Sequence, residues 1–417
     1  MAMIALGGTW AKWSAPLLGI KCKLPLKVDI QIENHFEAKI YATGSAIRGK
    51  VLITPIRDVD FDKLQIDLLG TSTTRTSGIL HDTLPTKFTF FQLSMPIPPE
   101  SLPEDKRLAA RQTIEIPFFF VVPQQRPLQA CIHETHLELP PTIGNWEKTD
   151  QSPETAKIEY SIRVRATPAR KDIETLKLVE VHRYLRLLPS NFQEDALCTT
   201  DPIQEIKLGR SYAKSDSLTI AGIPPTLVYL SCDSGKISNP MITAHLEFVT
   251  KAKPATVFPV IQVKSAAVQT TTTYAQIHLA PKSGENGRQA AQLPHVVLCT
   301  KSKKVIVQSS QSTWQKAETP TGSDTTKYLS TLTLALDMPN HEKTTFLPTF
   351  NACLISRSYA LRVGLAAESG SGSTLELPFQ VIVRDLTSPT LPKYTVTSRD
   401  QNVTTDALPE YRQSSTA

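Results

Sequence analysis

Ile158, Tyr160, Ile162 and Val164 alternate with Glu159, Ser161, Arg163 and Arg165. A period of two lets an extended chain bury one face of a sheet and wet the other, and a helix cannot use it. The same pattern recurs along the chain. Val28, Ile30 and Ile32 share a face, as do Ile47, Gly49, Val51 and Ile53. Leu64, Ile66 and Leu68 follow, then Ile114, Ile116, Phe118, Phe120 and Val122. In the second half the alternating sets are Ile242, Ala244, Leu246 and Phe248; Leu332, Leu334 and Leu336; Tyr359, Leu361, Val363 and Leu365; and Leu375, Leu377, Phe379, Val381 and Val383. Turn residues separate these runs, which is the pattern of a β-sandwich. Pro (31) outnumbers Gly (17), and Thr, Val and Ile recur, which favours extended segments over helix.

The chain has 417 residues, more than one hydrophobic core usually serves. The expectation is therefore an all-β protein of two consecutive immunoglobulin-like β-sandwich domains. A polar stretch at 189–216 follows the strand pattern at 176–188 and places the boundary near residue 200. The division expected is an N-terminal extension (1–24), an N-domain (25–195), a C-domain (196–386) and a tail (387–417). Rich in Ser, Thr, Pro and charge, the tail reads as disordered. One segment departs from strand grammar: 101–112 (SLPEDKRLAARQ) has good helix formers and reads as one short amphipathic helix lying on a sheet of the N-domain.

Several function classes are disfavoured. The net charge of +6 is small for this length, and no basic run exceeds two residues. Lys301, Lys303 and Lys304, and Arg163 with Arg165, read as solvated strand faces rather than nucleic-acid contacts. A weak attraction to anionic membrane surfaces stays open. No window approaches the ~18 apolar residues of a membrane span. Residues 1–20 carry Trp10 and Trp13 but are interrupted by Gly7, Gly8, Lys12, Ser14 and Pro16, so a signal peptide is not expected. Six scattered cysteines, none at CxxC spacing, read as reduced thiols rather than a disulfide framework.

Candidate chemistry within the domains is thin. Cys131, His133, Glu134 and His136 form a metal-like cluster, but His136 falls on the opposite strand face from Cys131 and His133. No second Cys/His pair completes the set, so no metal is expected. Asp58, Asp60 and Asp62 mimic the start of a Ca2+ loop without its Gly and later Glu, and read as a solvated turn. No G-x-S-x-G, HExxH or Walker motif occurs. No catalytic residue, cofactor or enzymatic activity is expected.

The tail is different. Leu391-Pro392-Lys393-Tyr394 and Leu408-Pro409-Glu410-Tyr411 are both LPxY. Ten Leu-Pro dipeptides occur in the chain, yet these two alone have Tyr two residues after the Pro. Composition predicts roughly 0.08 such matches over the whole chain. Pro pre-sets an extended backbone and lowers the ordering entropy lost on binding. WW domains hold such a segment on aromatic side chains, so Leu391, Pro392, Tyr394, Leu408, Pro409 and Tyr411 are the candidate partner-binding residues. The alternative is that Tyr394 or Tyr411 merely packs back on the fold. Two copies on one tether suit tandem WW domains. Ser388-Pro389 is a candidate phosphosite beside the first copy.

Several phrases, in order, resemble the arrestin family, particularly the fungal alpha-arrestins. They are YATGSAIRGKVLI (41–53), the 101–112 segment running into IEIPFFFVVP (114–123), ELPPTIGNW (138–146), KIEYSIRVRA (157–166), LPTFNACLISRSYALRV (347–363) and LELPFQVIV (375–383). The resemblance covers roughly 25–386. It does not extend to the first 24 residues, the tail lacks PPxY, and no buried polar core of the arrestin type is carried over. It implies an arrestin fold and a cytosolic adaptor. The partners implied are a membrane transporter or receptor as cargo and a WW-domain HECT-type ubiquitin ligase, with peripheral recruitment to plasma membrane or endosomes. A second reading is an arrestin-fold trafficking or signalling scaffold, of retromer-like or pH-signalling type, for which the tail is dispensable. A third, a β-sandwich enzyme or carbohydrate-binding module, calls for a metal site or an aromatic groove, and the sequence offers neither.

Overall fold

The computed structural model describes residues 26–75, 84–126, 136–144, 150–168, 179–189, 203–223, 227–231, 235–251, 257–276, 279, 296–318, 324–339, 344–367 and 372–384. Its first nine strands are β1 (Leu26–Ile32), β2 (Ile40–Tyr41), β3 (Ala46–Pro55), β4 (Val59–Thr74), β5 (Thr86–Met95), β6 (Arg107–Leu108), β7 (Ile114–Val121), β8 (Ala156–Pro168) and β9 (Val179–Leu187). They make a three-stranded sheet, β1-β3-β7, and a larger one ordered β2-β9-β8-β4-β5, with β6 on β4. The alternating residues meet between them: Ile47, Val51, Ile116 and Phe120 from one sheet, Ile66, Leu68, Tyr160 and Ile162 from the other, all essentially unexposed. Pro117 lies on β7, which among the described residues is an edge strand, the place where a proline is tolerated in a sheet.

The second set is β10 (Ile203–Ile206), β11 (Ser217–Ile223), β12 (Leu227–Ser231), β13 (Met241–Thr250), β14 (Ile261–Ala275), β15 (Val296–Lys304), β16 (Ile306–Gln311), β17 (Gln315–Lys316), β18 (Thr326–Asp337), β19 (Phe350–Asn351), β20 (Ile355–Ala367) and β21 (Ser373–Arg384). One sheet runs β10-β11-β13-β18-β16 with β17 on β18, the other β12-β21-β20-β14-β15 with β19 on β20. Among the described strands, those up to Leu187 pair with one another and those from Ile203 pair with one another. The chain is thus all-β, two sandwiches in succession.

Both sandwiches use one device. Tyr160 on β8 is fully buried, and its hydroxyl donates to the Pro140 carbonyl at 2.6 Å, pinning the proline loop. Tyr359 on β20 donates to the Leu347 carbonyl at 2.7 Å and accepts from the Leu347 N–H at 3.3 Å. In each, a core tyrosine satisfies backbone polar groups that a buried loop would otherwise leave unpaired. Burial pushes both phenols above the usual tyrosine pKa, against the lowering charge of Arg126 at Tyr160 and of Arg357 at Tyr359.

The short helix expected at 101–112 does not form. A 3-10 turn covers Pro99–Ser101, turns follow, and Arg107–Leu108 pairs with β4 through Leu108–Val59 and Arg107–Asp60. Lys106 (φ 52°) and Arg111 (φ 63°) are left-handed, which interrupts any helix. Tertiary contacts outbid local propensity here. The Asp58 carboxylate accepts the Ala110 N–H at 2.8 Å and pairs with Arg107 at 2.6 Å. The Ala110 N–H and the Arg107 guanidinium hold the Asp58 carboxyl below the usual range. Leu108 is buried and lines a small apolar cavity with Ile53, Phe61 and Ile114.

Candidate functional site

The described residues offer two polar constellations, and neither was read from the sequence. The first is the seam between the sandwiches. On one side it takes the end of β4 (Thr74), Leu84, Arg126 and the 150–155 loop. On the other it takes the end of β14 (Thr272–Gln276), Lys301 of β15 and the start of β20 (Cys353–Arg357). Thr74 Oγ1 donates to the Ala275 carbonyl at 2.8 Å, and Thr155 Oγ1 to the Tyr274 hydroxyl at 2.8 Å. Gln276 reaches the Leu84 carbonyl at 3.2 Å, and Lys301 Nζ the Ser152 carbonyl at 3.0 Å.

Arg357 sits at the centre. It is 1% exposed. Its Nη1 donates to the Asp150 carbonyl and its Nη2 to Ser152 Oγ, both at 3.0 Å and both across the seam. Nε and Nη2 also donate to Thr272 Oγ1 at 3.3 and 3.2 Å. Thr270 and Thr272 stand at core-facing positions of β14, so the core turns polar as it nears the seam. Asp150 shapes the loop that receives Arg357: its two carboxylate oxygens accept the Ser152 N–H at 2.8 Å and the Gly144 N–H at 3.1 Å. A second buried guanidinium, Arg126, lies 5.4 Å from the Phe90 ring centroid and approaches Cys353 Sγ at 3.7 and 3.8 Å. A planar, weakly hydrated cation tolerates such burial better than an ammonium does. The arrangement ties the two domains together through directional bonds.

The second constellation lies on the outer face of the β2-β9-β8-β4-β5 sheet. Register places Ser94, Asp67, Arg163 and His182 in one cross-strand row. Asp67 is unexposed and accepts Arg163 at 2.6 and 3.0 Å, Ser94 at 2.6 Å and Gln92 at 3.3 Å. Beside it Ser161 Oγ meets His182 Nδ1 at 3.0 Å, and His182 Nε2 meets Glu180 at 2.9 Å. Burial raises the Glu180 carboxyl, but the His182 hydrogen bond and the charges of His182, Arg163 and Arg165 outweigh it and leave the pKa lowered. A serine, a histidine and a carboxylate in contact are the connectivity of a nucleophilic triad. Here all three lie along one sheet face, and Ser161 is only 4% exposed. The set reads as a structural ion network.

The residues singled out from the sequence fall elsewhere. Leu391, Pro392, Tyr394, Leu408, Pro409 and Tyr411 lie outside the described residues, as do Ser388, Cys131 and His133. His136 is buried. Among the described residues no group of three or more His, Cys, Asp or Glu is placed to hold a metal, and no helix is long and apolar enough to cross a membrane. Asp58 ties down the 107–110 loop, as given above. Lys301, Lys303 and Lys304 line the edge strand β15, exposed.

Residues 255–385 match the family model described as the Bul1 C terminus. Bul1 is a yeast arrestin-like adaptor. That stretch of the chain is thus similar to the C-terminal region of an arrestin-like adaptor. The match spans β14 to β21 and so takes in one whole side of the seam, with Tyr274, Cys353 and Arg357. No curated protein matches the sequence.

Proposed function

We propose that this chain is an arrestin-like adaptor that brings a membrane transporter or receptor to a HECT-type ubiquitin ligase, promoting ubiquitination and endocytosis of that cargo. The observation that carries the reading is the pair of LPxY motifs, Leu391-Pro392-Lys393-Tyr394 and Leu408-Pro409-Glu410-Tyr411, after the last strand. The likeness of 255–385 to the C terminus of Bul1, an arrestin-like adaptor, supports it. In this reading the ligase performs the chemistry and the chain supplies proximity. Two sandwiches, 25–195 and 196–386, form the cargo-facing body, and the tail 387–417 carries the ligase contacts. Two copies 17 residues apart in the sequence suit tandem WW domains, which would gain affinity through effective concentration. The protein would work in the cytoplasm and be recruited peripherally to plasma membrane or endosomes.

Fluorescence anisotropy on a labelled 388–414 peptide with tandem WW domains of a HECT ligase tests the contact. Each Tyr→Ala change should weaken binding and the double change should abolish it. Undiminished binding of the doubly substituted peptide would remove the basis for the reading.

A further inference from the structure

Ser152 is followed by Pro153, and proline forces the residue before it toward an extended backbone, the conformation in which proline-directed kinases read a substrate. Ser152 is partly exposed and lies in the loop between Asp150 and the start of β8. We propose that Ser152 is a phosphorylation site whose phosphate, held between Arg357 and Lys301, locks the two sandwiches together.

Three observations converge on this atom. Ser152 Oγ already accepts from Arg357 Nη2 at 3.0 Å. Among the described residues the hydrogen-bond partners of the Arg357 guanidinium are neutral oxygens, at Asp150, Ser152, Thr272 and Tyr359, and none is a carboxylate. Lys301 Nζ, on the exposed rim, is 3.0 Å from the carbonyl of the same serine. Both cations come from the second sandwich and the serine from the first. A phosphate brings about two negative charges and three strong acceptor oxygens, the chemistry that a guanidinium and an ammonium facing one hydroxyl would take up. Asp150 is the opposing charge. Its two oxygens are engaged by the N–H groups of Gly144 and Ser152, which offsets part of the repulsion.

The step balances with ATP and a proline-directed serine/threonine kinase. A bond forms between Ser152 Oγ and the γ-phosphorus, and the bond from that phosphorus to the β,γ-bridging oxygen breaks. ADP leaves with the electron pair, and the hydroxyl proton passes to the kinase's base. The inference rests on the seam alone and stands whether or not the tail binds WW domains.

The test uses the full chain with phosphoserine encoded at position 152, compared with the unmodified chain by amide hydrogen exchange and thermal unfolding. Exchange in 150–156 and 270–275 should slow about tenfold, equivalent to about 1.4 kcal/mol, and Tm should rise. Lys301→Gln, with its phosphorylated form compared with its own unmodified form, should lose at least half of both increments. Faster exchange or a lower Tm on phosphorylation would mean that the phosphate wedges the domains apart, and would overturn the lock. Unchanged exchange, or increments kept in full by Lys301→Gln, would also overturn it. Treatment of the folded chain with ATP and a proline-directed kinase should label Ser152 by peptide mapping. Labelling undiminished by Ser152→Ala would overturn the site.

Discussion

Arg357→Met probes the seam at its centre. Methionine fills much of the arginine stem's volume and removes the four hydrogen bonds that the guanidinium donates to Asp150, Ser152 and Thr272. Ser152 is partly exposed and can turn to water, so its loss is small. The Asp150 carbonyl and the Thr272 hydroxyl have no such recourse: Asp150 is 5% exposed and Thr272 1%. An unsatisfied buried acceptor costs about 1–3 kcal/mol. Against this, the variant no longer desolvates a cation, a relief of several kcal/mol in part already offset by those same bonds. The balance is a destabilisation of about 2–3 kcal/mol, which for domains of this size is a fall in Tm of roughly 5–10 °C. Because two of the four bonds cross the seam, calorimetry should also show the two sandwiches unfolding less cooperatively. Arg362→Met is the control. Arg362 lies on the same strand, on the outer face, 3.7 Å from Glu376 with both side chains about half exposed. A pair of that kind is worth well under about 1 kcal/mol. Equal behaviour of the two variants, each within a degree of wild type, would refute the account of Arg357.

Further outcomes follow from particular contacts. Tyr160→Phe leaves the buried Pro140 carbonyl without its 2.6 Å donor and should lower stability by about 1–3 kcal/mol in urea titration; a loss below the error of the method contradicts the role given to the hydroxyl. Gly49→Ala places a methyl against the Gln31 carbonyl and the Phe118 ring, so β1 should lose pairing to β3, seen as rapid amide exchange in 26–32; protection equal to wild type would show that the strands can part without loss. His35 titrates below an ordinary histidine because burial disfavours its charge and Arg183 and Lys39 lie close. The folded chain therefore binds fewer protons than the unfolded one. The stability His35 contributes is complete above about pH 6.5 and is lost as pH falls through its lowered folded value. His35→Gln should flatten the decline of Tm between pH 7 and pH 5; an unaltered slope assigns that decline to other groups.

Much of the fold was legible because burial and backbone period agree in it. Every residue named from alternation on β8, β13, β18 and β21 is buried, and Tyr160 even marks the loop it holds. The helix at 101–112 was misread because its competitor, Asp58, lies some fifty residues away and acts through a single carboxylate on Ala110 and Arg107. Propensity cannot register a partner so distant. Arg357 does carry a signal in the sequence. It stands two residues before Tyr359, in phase with Leu361, Val363 and Leu365, so alternation alone puts a charged side chain into the core. Asp67, lodged between Ile66 and Leu68, faces outward in phase with Gln65 and Leu69, and nothing in its own strand announces that Arg163 and Ser94 will enclose it. The tail is the reverse case: its LPxY motifs are plain in the sequence and, in the proposed reading, would act through a partner's surface.

Ligase recruitment is decided most directly on the full chain in cells. Affinity capture of wild type and of the Tyr394→Ala/Tyr411→Ala variant, read by mass spectrometry, compares the partners of each. The account predicts that a WW-domain HECT ligase is captured with wild type and lost with the variant, while cargo membrane proteins remain with both. Equal recovery of the ligase with the two baits, or recovery with neither, would contradict it.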